Sequence, residues 1–136
     1  MFTALLALAG LTVSCSLDNE PIVNYDPAFL PVVSIDVPQS MHPGVTYSFK
    51  LYYNRPSDCY YYNGLSTEQN GNDFRIAVSS IMLNENCEPL VHTEPEVAVF
   101  DFLCPQSSFQ EYKFHFYSGV SATGEDEYMD VTVPVE

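Results

Sequence analysis

The run VTYSFKLYY at residues 45–53 has the clearest strand pattern in the chain. Apolar and aromatic side chains occupy every second position: Val45, Tyr47, Phe49, Leu51 and Tyr53. Successive side chains of a β-strand point to opposite faces, so a period of two predicts a strand with one buried face. An amphipathic helix would instead repeat its apolar positions every three and four residues.

Similar runs lie on both sides of this one and predict further strands. They span residues 33–37, 59–62, 74–83, 97–104, 111–117 and 128–135. Stretches rich in Pro, Gly, Asn and Asp separate them, as expected of turns. About seven short strands without an amphipathic helix predict an all-β fold, a single immunoglobulin-like antiparallel β-sandwich over residues 30–136. A small barrel is the alternative.

The charge of the chain excludes two classes of function. Four basic residues stand against 18 acidic ones, for a formal net charge of −14: the basic residues are Lys50, Arg55, Arg75 and Lys113. Nucleic-acid binding depends on neutralising phosphates, and electrostatic adhesion to anionic lipid has the same requirement, so neither is expected. The acidity indicates either a soluble exposed surface or a surface that binds cations or a basic partner.

The N-terminal residues 1–14 predict a cleaved signal peptide. Residues 2–13 are apolar except for Thr3, Gly10 and Thr12, and this run is shorter than the roughly 20 residues that span a bilayer. The following Ser14-Cys15 resembles the end of a bacterial lipoprotein signal, although the usual basic residues are missing before the apolar run. The resemblance implies that Cys15 is acylated and becomes the first residue. The alternative is a buried helix in which Cys15 is an ordinary core thiol.

Residues 15–29 are predicted to form an acidic, flexible tether. They contain Pro21 and Pro27 and show no sustained period. The acidic stretch directly after Cys15 resembles the surface-export signal of Bacteroidota lipoproteins. This resemblance implies a lipid-anchored protein on the outer face of the outer membrane, held there by its lipid anchor only. The periplasmic face is the alternative.

The remaining cysteines predict one disulfide. An oxidising cell envelope permits such bonds, and Cys59 and Cys87 each lie at a strand edge among turn residues. We therefore predict a Cys59–Cys87 bond. Cys104 follows Phe100 and Phe102 on one face of its strand and is expected to be a buried free thiol. A Cys87–Cys104 bond is the alternative.

No motif of a catalytic nucleophile, metalloprotease, phosphate loop or dinucleotide site occurs in the chain. The cysteine spacing does not fit a zinc site, and His42, His92 and His115 are singly placed. We therefore expect no metal site, no cofactor and no enzymatic activity. Three consecutive tyrosines offer a candidate ligand contact, because sugars stack on aromatic faces: Tyr60, Tyr61 and Tyr62. The alternative is that strand alternation buries one or two of these rings.

The part of the chain after the tether resembles the small, uncharacterised surface lipoproteins of Bacteroidota that are built on one immunoglobulin-like domain. Three stretches carry this resemblance: residues 32–38, 55–59 and 124–128. The resemblance does not imply any known activity for this chain. Together with the lipid anchor, it implies a non-enzymatic outer-membrane lipoprotein that serves as an interaction or accessory module of a larger cell-envelope protein complex. The alternative is a surface glycan-binding module.

Overall fold

The computed structural model describes residues 25–83, 86–91 and 94–136. These residues form eight strands: β1 (Tyr25–Leu30), β2 (Val32–Asp36), β3 (Thr46–Tyr53), β4 (Tyr60–Asn70), β5 (Asp73–Leu83), β6 (Glu96–Leu103), β7 (Glu111–Val120) and β8 (Asp126–Pro134). They confirm the predicted all-β sandwich, with one strand more than the sequence indicated. Within the described ranges, no helix has the length and apolar character to cross a membrane.

The strands form two separate sheets, which rules out the barrel. The smaller sheet has the order β2-β3-β6, and the larger one contains β1, β4, β5, β7 and β8. Strand β5 pairs with β4 along one edge, while its other edge pairs with β1 at residues 78–83 and with β7 at residues 73–76. The prediction of an entirely antiparallel sandwich is wrong at β5 and β7, which run parallel. The reason is that β6, between them in sequence, belongs to the other sheet and carries the chain back before β7 starts.

The predicted tether is wrong at its C-terminal end. Its residues 25–29 belong to β1, which pairs antiparallel with β5 and places Leu30 opposite Val78. The Ser80 hydroxyl donates a hydrogen bond of 2.8 Å to the carbonyl of Ala28. Pro27 is tolerated because β1 pairs on one side only. The predicted signal peptide, Cys15 and the rest of the tether lie outside the described residues.

The β4–β5 connection is a tight turn, although its sequence had the composition of a long loop. Strand β4 continues to Asn70, and Gly71 adopts φ 63°, a left-handed conformation that favours glycine. The Asn72 carbonyl accepts a 2.9 Å hydrogen bond from the amide of Lys113, and its side chain donates to the carbonyl of Glu111. The turn therefore holds the start of β5 against the start of β7.

A cluster of aromatic rings joins the two sheets. Phe114 on β7 is fully buried, and its ring centroid lies 4.8 Å from that of Phe49 on β3 in an edge-to-face arrangement. The same ring lies 5.5 Å from Phe74 and 5.3 Å from Phe102. Such pairs contribute about 0.5–1.5 kcal/mol each beyond the burial of their area. Phe114 thus packs against strands of both sheets at once.

The predictions for Cys59, Cys87 and Cys104 are confirmed. Cys59 and Cys87 form a disulfide across a sequence separation of 28 residues, and closing a loop of that length stabilises the fold by about 3.6 kcal/mol on a chain-entropy estimate. Cys104 is a free, buried thiol. Burial raises the pKa of the Cys104 thiol, and a hydrogen bond with Ser108 opposes part of that rise.

We expect Phe114→Ala to lower the free energy of unfolding by about 3–5 kcal/mol, because it removes a fully buried ring and leaves a cavity between the sheets. Denaturant unfolding followed by far-UV circular dichroism measures the loss, and Phe114→Leu gives a smaller one. Phe109→Ala is the control, because Phe109 is 51% exposed; we expect its effect to stay below about 1 kcal/mol. Equal losses for the two alanine variants would contradict the central position of Phe114.

Candidate functional site

A row of four charged side chains crosses the outer face of the larger sheet. Direct cross-strand pairs place Glu68 opposite Arg75, Arg75 opposite His115, and His115 opposite Asp130. Residues directly opposed in a sheet point to the same side. Because the neighbouring Phe114 is buried in the core, this row lies on the outer face of β4, β5, β7 and β8.

A second row lies two residues further along the same face. It consists of Asn70, Asp73, Lys113 and Thr132. The two rows border a cleft with a volume of about 560 Å³. Its lining is polar and charged: Glu68, Gln69, Asn70, Asp73, Arg75, Lys113 and His115. We call this feature the charged cleft.

His115 connects three strands of this face. Its Nδ1 lies 2.6 Å from Oδ1 of Asp130 on β8, and its Nε2 lies 3.1 Å from Oδ1 of Asp73 on β5. The hydrogen bond with Asp130 is the main reason that the pKa of His115 is raised above its usual value; desolvation opposes the rise, and Asp73 adds to it. Only the imidazolium donates from both nitrogens, so it satisfies both carboxylates.

Arg75 and Lys113 are exposed cations without an anionic partner in the described ranges. The ion pairs found there join Arg55 to Glu96 and His115 to its two aspartates. Arg75 instead has its guanidinium carbon 5.7 Å from the centroid of the Tyr128 ring, a cation–π contact. Two of the four Lys and Arg residues of a chain with 18 acids thus meet in one cleft with free hydrogen-bond donors.

Aromatic rings border the Arg75 end of the cleft. Tyr117 makes edge-to-face contacts with Phe29 at 5.7 Å and with Tyr128 at 6.1 Å between centroids. Burial is the main reason that the pKa of Tyr117 is raised. Phe29 stays 51% exposed. These rings line a neighbouring depression, which shares Glu68 and Arg75 with the charged cleft.

The predicted tyrosine contact does not form one surface. Tyr60 packs against the core, and Tyr62 stacks on Tyr53 of the other sheet at 6.1 Å. Tyr61 points to the opposite side of β4 and is 53% exposed. The three rings also lie at the end of β4 far from Glu68. Their role as ligand contacts stays a prediction.

Sequence reasoning missed the charged cleft, although a signal for it was present. Asp73 and Arg75 alternate with buried residues on β5, and Lys113 and His115 do so on β7. His115, expected to stand alone, holds two carboxylates. No group of three or more His, Cys, Asp and Glu residues suited to a metal ion occurs in the described ranges.

We expect the pKa of His115, measured by NMR titration of its ring protons, to lie above the usual histidine value of 6.5. Asp130→Asn should lower this pKa more than Asp73→Asn does, because Asp130 makes the shorter hydrogen bond. Asp36→Asn, which removes one charge from an exposed position of the other sheet, is the control and should leave the pKa almost unchanged.

The same shift predicts how stability depends on pH. Because the folded-state pKa is raised, the stabilising contribution of His115 is fully present below the unfolded-state pKa and is lost as the pH rises through the folded-state pKa. Unfolding free energies measured across this window should show a smaller decline for Asp130→Asn than for the wild type. An unchanged decline would contradict a stabilising contribution from the hydrogen bond between His115 and Asp130.

In comparisons with protein families, curated proteins and solved structures, no match to this chain was found. The function is therefore inferred from the chemistry of the charged cleft and of the rest of the surface.

Proposed function

We propose that this chain is a non-enzymatic binding module and that the charged cleft is its binding site. One observation carries the proposal: Arg75 and Lys113 line the same cleft in a chain whose net charge is −14. Neither side chain has an anionic partner in the described ranges. In a chain so rich in carboxylates, a cation that keeps its donors free is available to an anionic group from outside.

The state of His115 supports binding rather than catalysis. A histidine that acts as a general base needs a nitrogen free to accept a proton within hydrogen-bond reach of the reacting group. Both ring nitrogens of His115 are occupied by carboxylates. The free thiol, Cys104, is fully buried and its pKa is raised, so it does not suit a nucleophile.

The proposed location is the outer membrane, with the lipid on Cys15 as the only anchor. The apolar run before Cys15 and the acidic stretch after it support this location. The cleft lies at residues 73–75 of β5, whereas β1, the strand that continues from the tether, pairs with residues 78–83 of β5. A ligand outside the membrane could therefore reach the site while the chain stays anchored.

A photocrosslinking side chain on intact cells tests the site. We expect a diazirine amino acid at Thr132, which borders the cleft, to give crosslinked products whose yield falls several-fold when Lys113→Gln is added. Lys50→Gln is the matched control, because it removes the same charge from an exposed position on the outer face of the smaller sheet. Crosslinks that do not depend on Lys113, or no crosslinks at Thr132, would contradict the cleft as the binding site.

A second candidate function is that of an accessory subunit docked on a larger envelope complex. The observation that favours it is an exposed apolar row on the outer face of β6: Val97, Val99 and Leu103, with exposures of 48%, 49% and 59%. β6 is an edge strand of the smaller sheet. Val97 and Val99 are neighbours in this row, and Asp101 separates them from Leu103. Exposed apolar side chains that lie together mark protein–protein contacts, and a partner protein would cover them.

Co-purification tests this second candidate. After extraction in mild detergent, we expect the wild-type protein to elute with a membrane complex and the Val97→Ser/Val99→Ser variant to elute alone. Val120→Ser is the control, since Val120 is 55% exposed at the far end of β7. Elution of the wild-type chain as a clean monomer would contradict the accessory role and would leave the cleft proposal unaffected.

A further inference from the structure

We infer that the charged cleft binds an acidic sugar, with Arg75 and Lys113 holding the carboxylate and the polar side chains of β4 holding the hydroxyl groups. This inference rests on the proposed function, because it names the ligand of the same cleft. The ligand class is a glycan end or short glycan that carries a single uronic-acid residue.

The two cations are placed to share one carboxylate. Arg75 lies directly opposite His115, and Lys113 is two residues before His115 on β7, so Arg75 and Lys113 are diagonal neighbours on one face. Diagonal neighbours are separated by roughly 7–8 Å at the backbone, within reach of long side chains. Arginine offers a planar fork that matches both oxygens of a carboxylate, and lysine adds a mobile point charge.

The remaining lining suits hydroxyl groups. A sugar hydroxyl both donates and accepts, so its partners are carboxylates and amides, which the cleft supplies at Glu68 and Asn70. Both side chains are exposed, and neither makes a hydrogen bond in the part of the chain that the structure describes. The Tyr128 ring lies under the Arg75 guanidinium and helps to hold this cation at the border of the cleft.

The charge of the cleft and of the surrounding surface limits the number of carboxylates that a ligand can carry. With His115 protonated, the cleft and its border hold three cations and three carboxylates, so one further carboxylate meets a locally balanced site. A polyanion would extend beyond the cleft over a surface that carries most of the net charge of −14 and would be repelled. The volume of about 560 Å³ also falls among small-ligand sites.

Titration of the full-length protein in mild detergent tests the inference. Methyl β-D-glucuronide is the probe, methyl β-D-glucoside is its neutral counterpart, and acetate is the carboxylate without a sugar. We expect saturation-transfer NMR and calorimetry to detect binding of the glucuronide. The glucoside and acetate should each bind at least about tenfold more weakly, because each lacks one set of hydrogen bonds.

Variants locate the binding. Arg75→Gln and Lys113→Gln should each weaken glucuronide binding about tenfold. Arg75→Lys should weaken glucuronide binding by an intermediate factor, because it keeps the positive charge and removes the planar guanidinium that matches both carboxylate oxygens. Lys50→Gln should have no effect. Thermal unfolding of each variant shows that the fold is retained, and the exposed positions of these side chains make that the expected result.

Three results would overturn the inference. The glucoside could bind as tightly as the glucuronide, acetate could bind as tightly as the glucuronide, or Lys50→Gln could weaken glucuronide binding as much as Lys113→Gln does. Absence of glucuronide binding would overturn it as well. If crosslinking at Thr132 then still depends on Lys113, the cleft remains the binding site and only the ligand class is wrong. If that dependence is also absent, the proposed function fails with it.

Discussion

The edge-to-face contact between Phe49 and Phe114 is the interaction on which the rest of the structure depends. It joins β3 of the smaller sheet to β7 of the larger one at a centroid separation of 4.8 Å. Because side chains alternate along a strand, the burial of Phe114 turns Lys113 and His115 to the opposite face. The aromatic core therefore orients the cations of the charged cleft without touching any ligand.

Pairing between β5 and β7 determines which charges meet. Only the parallel register places Arg75 beside His115 and Asp73 beside Lys113. Asn72 strengthens this register by bonding the start of β7 through both its carbonyl and its side chain. A shift by one residue would send the charged side chains of β7 into the core, so the hydrophobic effect and the turn together specify the chemistry of the outer face.

The two outer faces of the sandwich differ in character, which suits a module with two kinds of contact. The larger sheet presents cations, carboxylates and rings around a cleft, whereas β6 on the smaller sheet presents exposed apolar side chains. The proposed binding of a small ligand on one face and the proposed docking of a protein on the other would therefore not compete for surface. An acidic exterior elsewhere favours the solubility of the domain.

A feature of this structure could be predicted from the sequence where its physical cause lies in residues that are close together in the chain. The period of two at residues 45–53 was enough to predict β3, because alternation reflects the geometry of the strand itself. The same reasoning, applied to the turn-rich settings of Cys59 and Cys87, led to the disulfide that the structure contains. It failed at β1, where residues 25–29 had the composition of a tether, and at the end of β4, whose exposed polar residues resembled a loop.

Both failures have one physical reason. Strand β1 and the end of β4 are both held by hydrogen bonds to β5. Strand β5 is distant from β1 in sequence, and it is joined to β4 by a turn that requires the left-handed conformation of Gly71. Composition and local periodicity were enough to establish the all-β class, the net charge, the core rings and the apolar run before Cys15. That Arg75, Lys113 and His115 share a cleft follows from the tertiary structure alone. Strands β5 and β7 pair within the larger sheet although β6 of the other sheet lies between them in sequence, and such a pairing leaves no periodic trace in the chain.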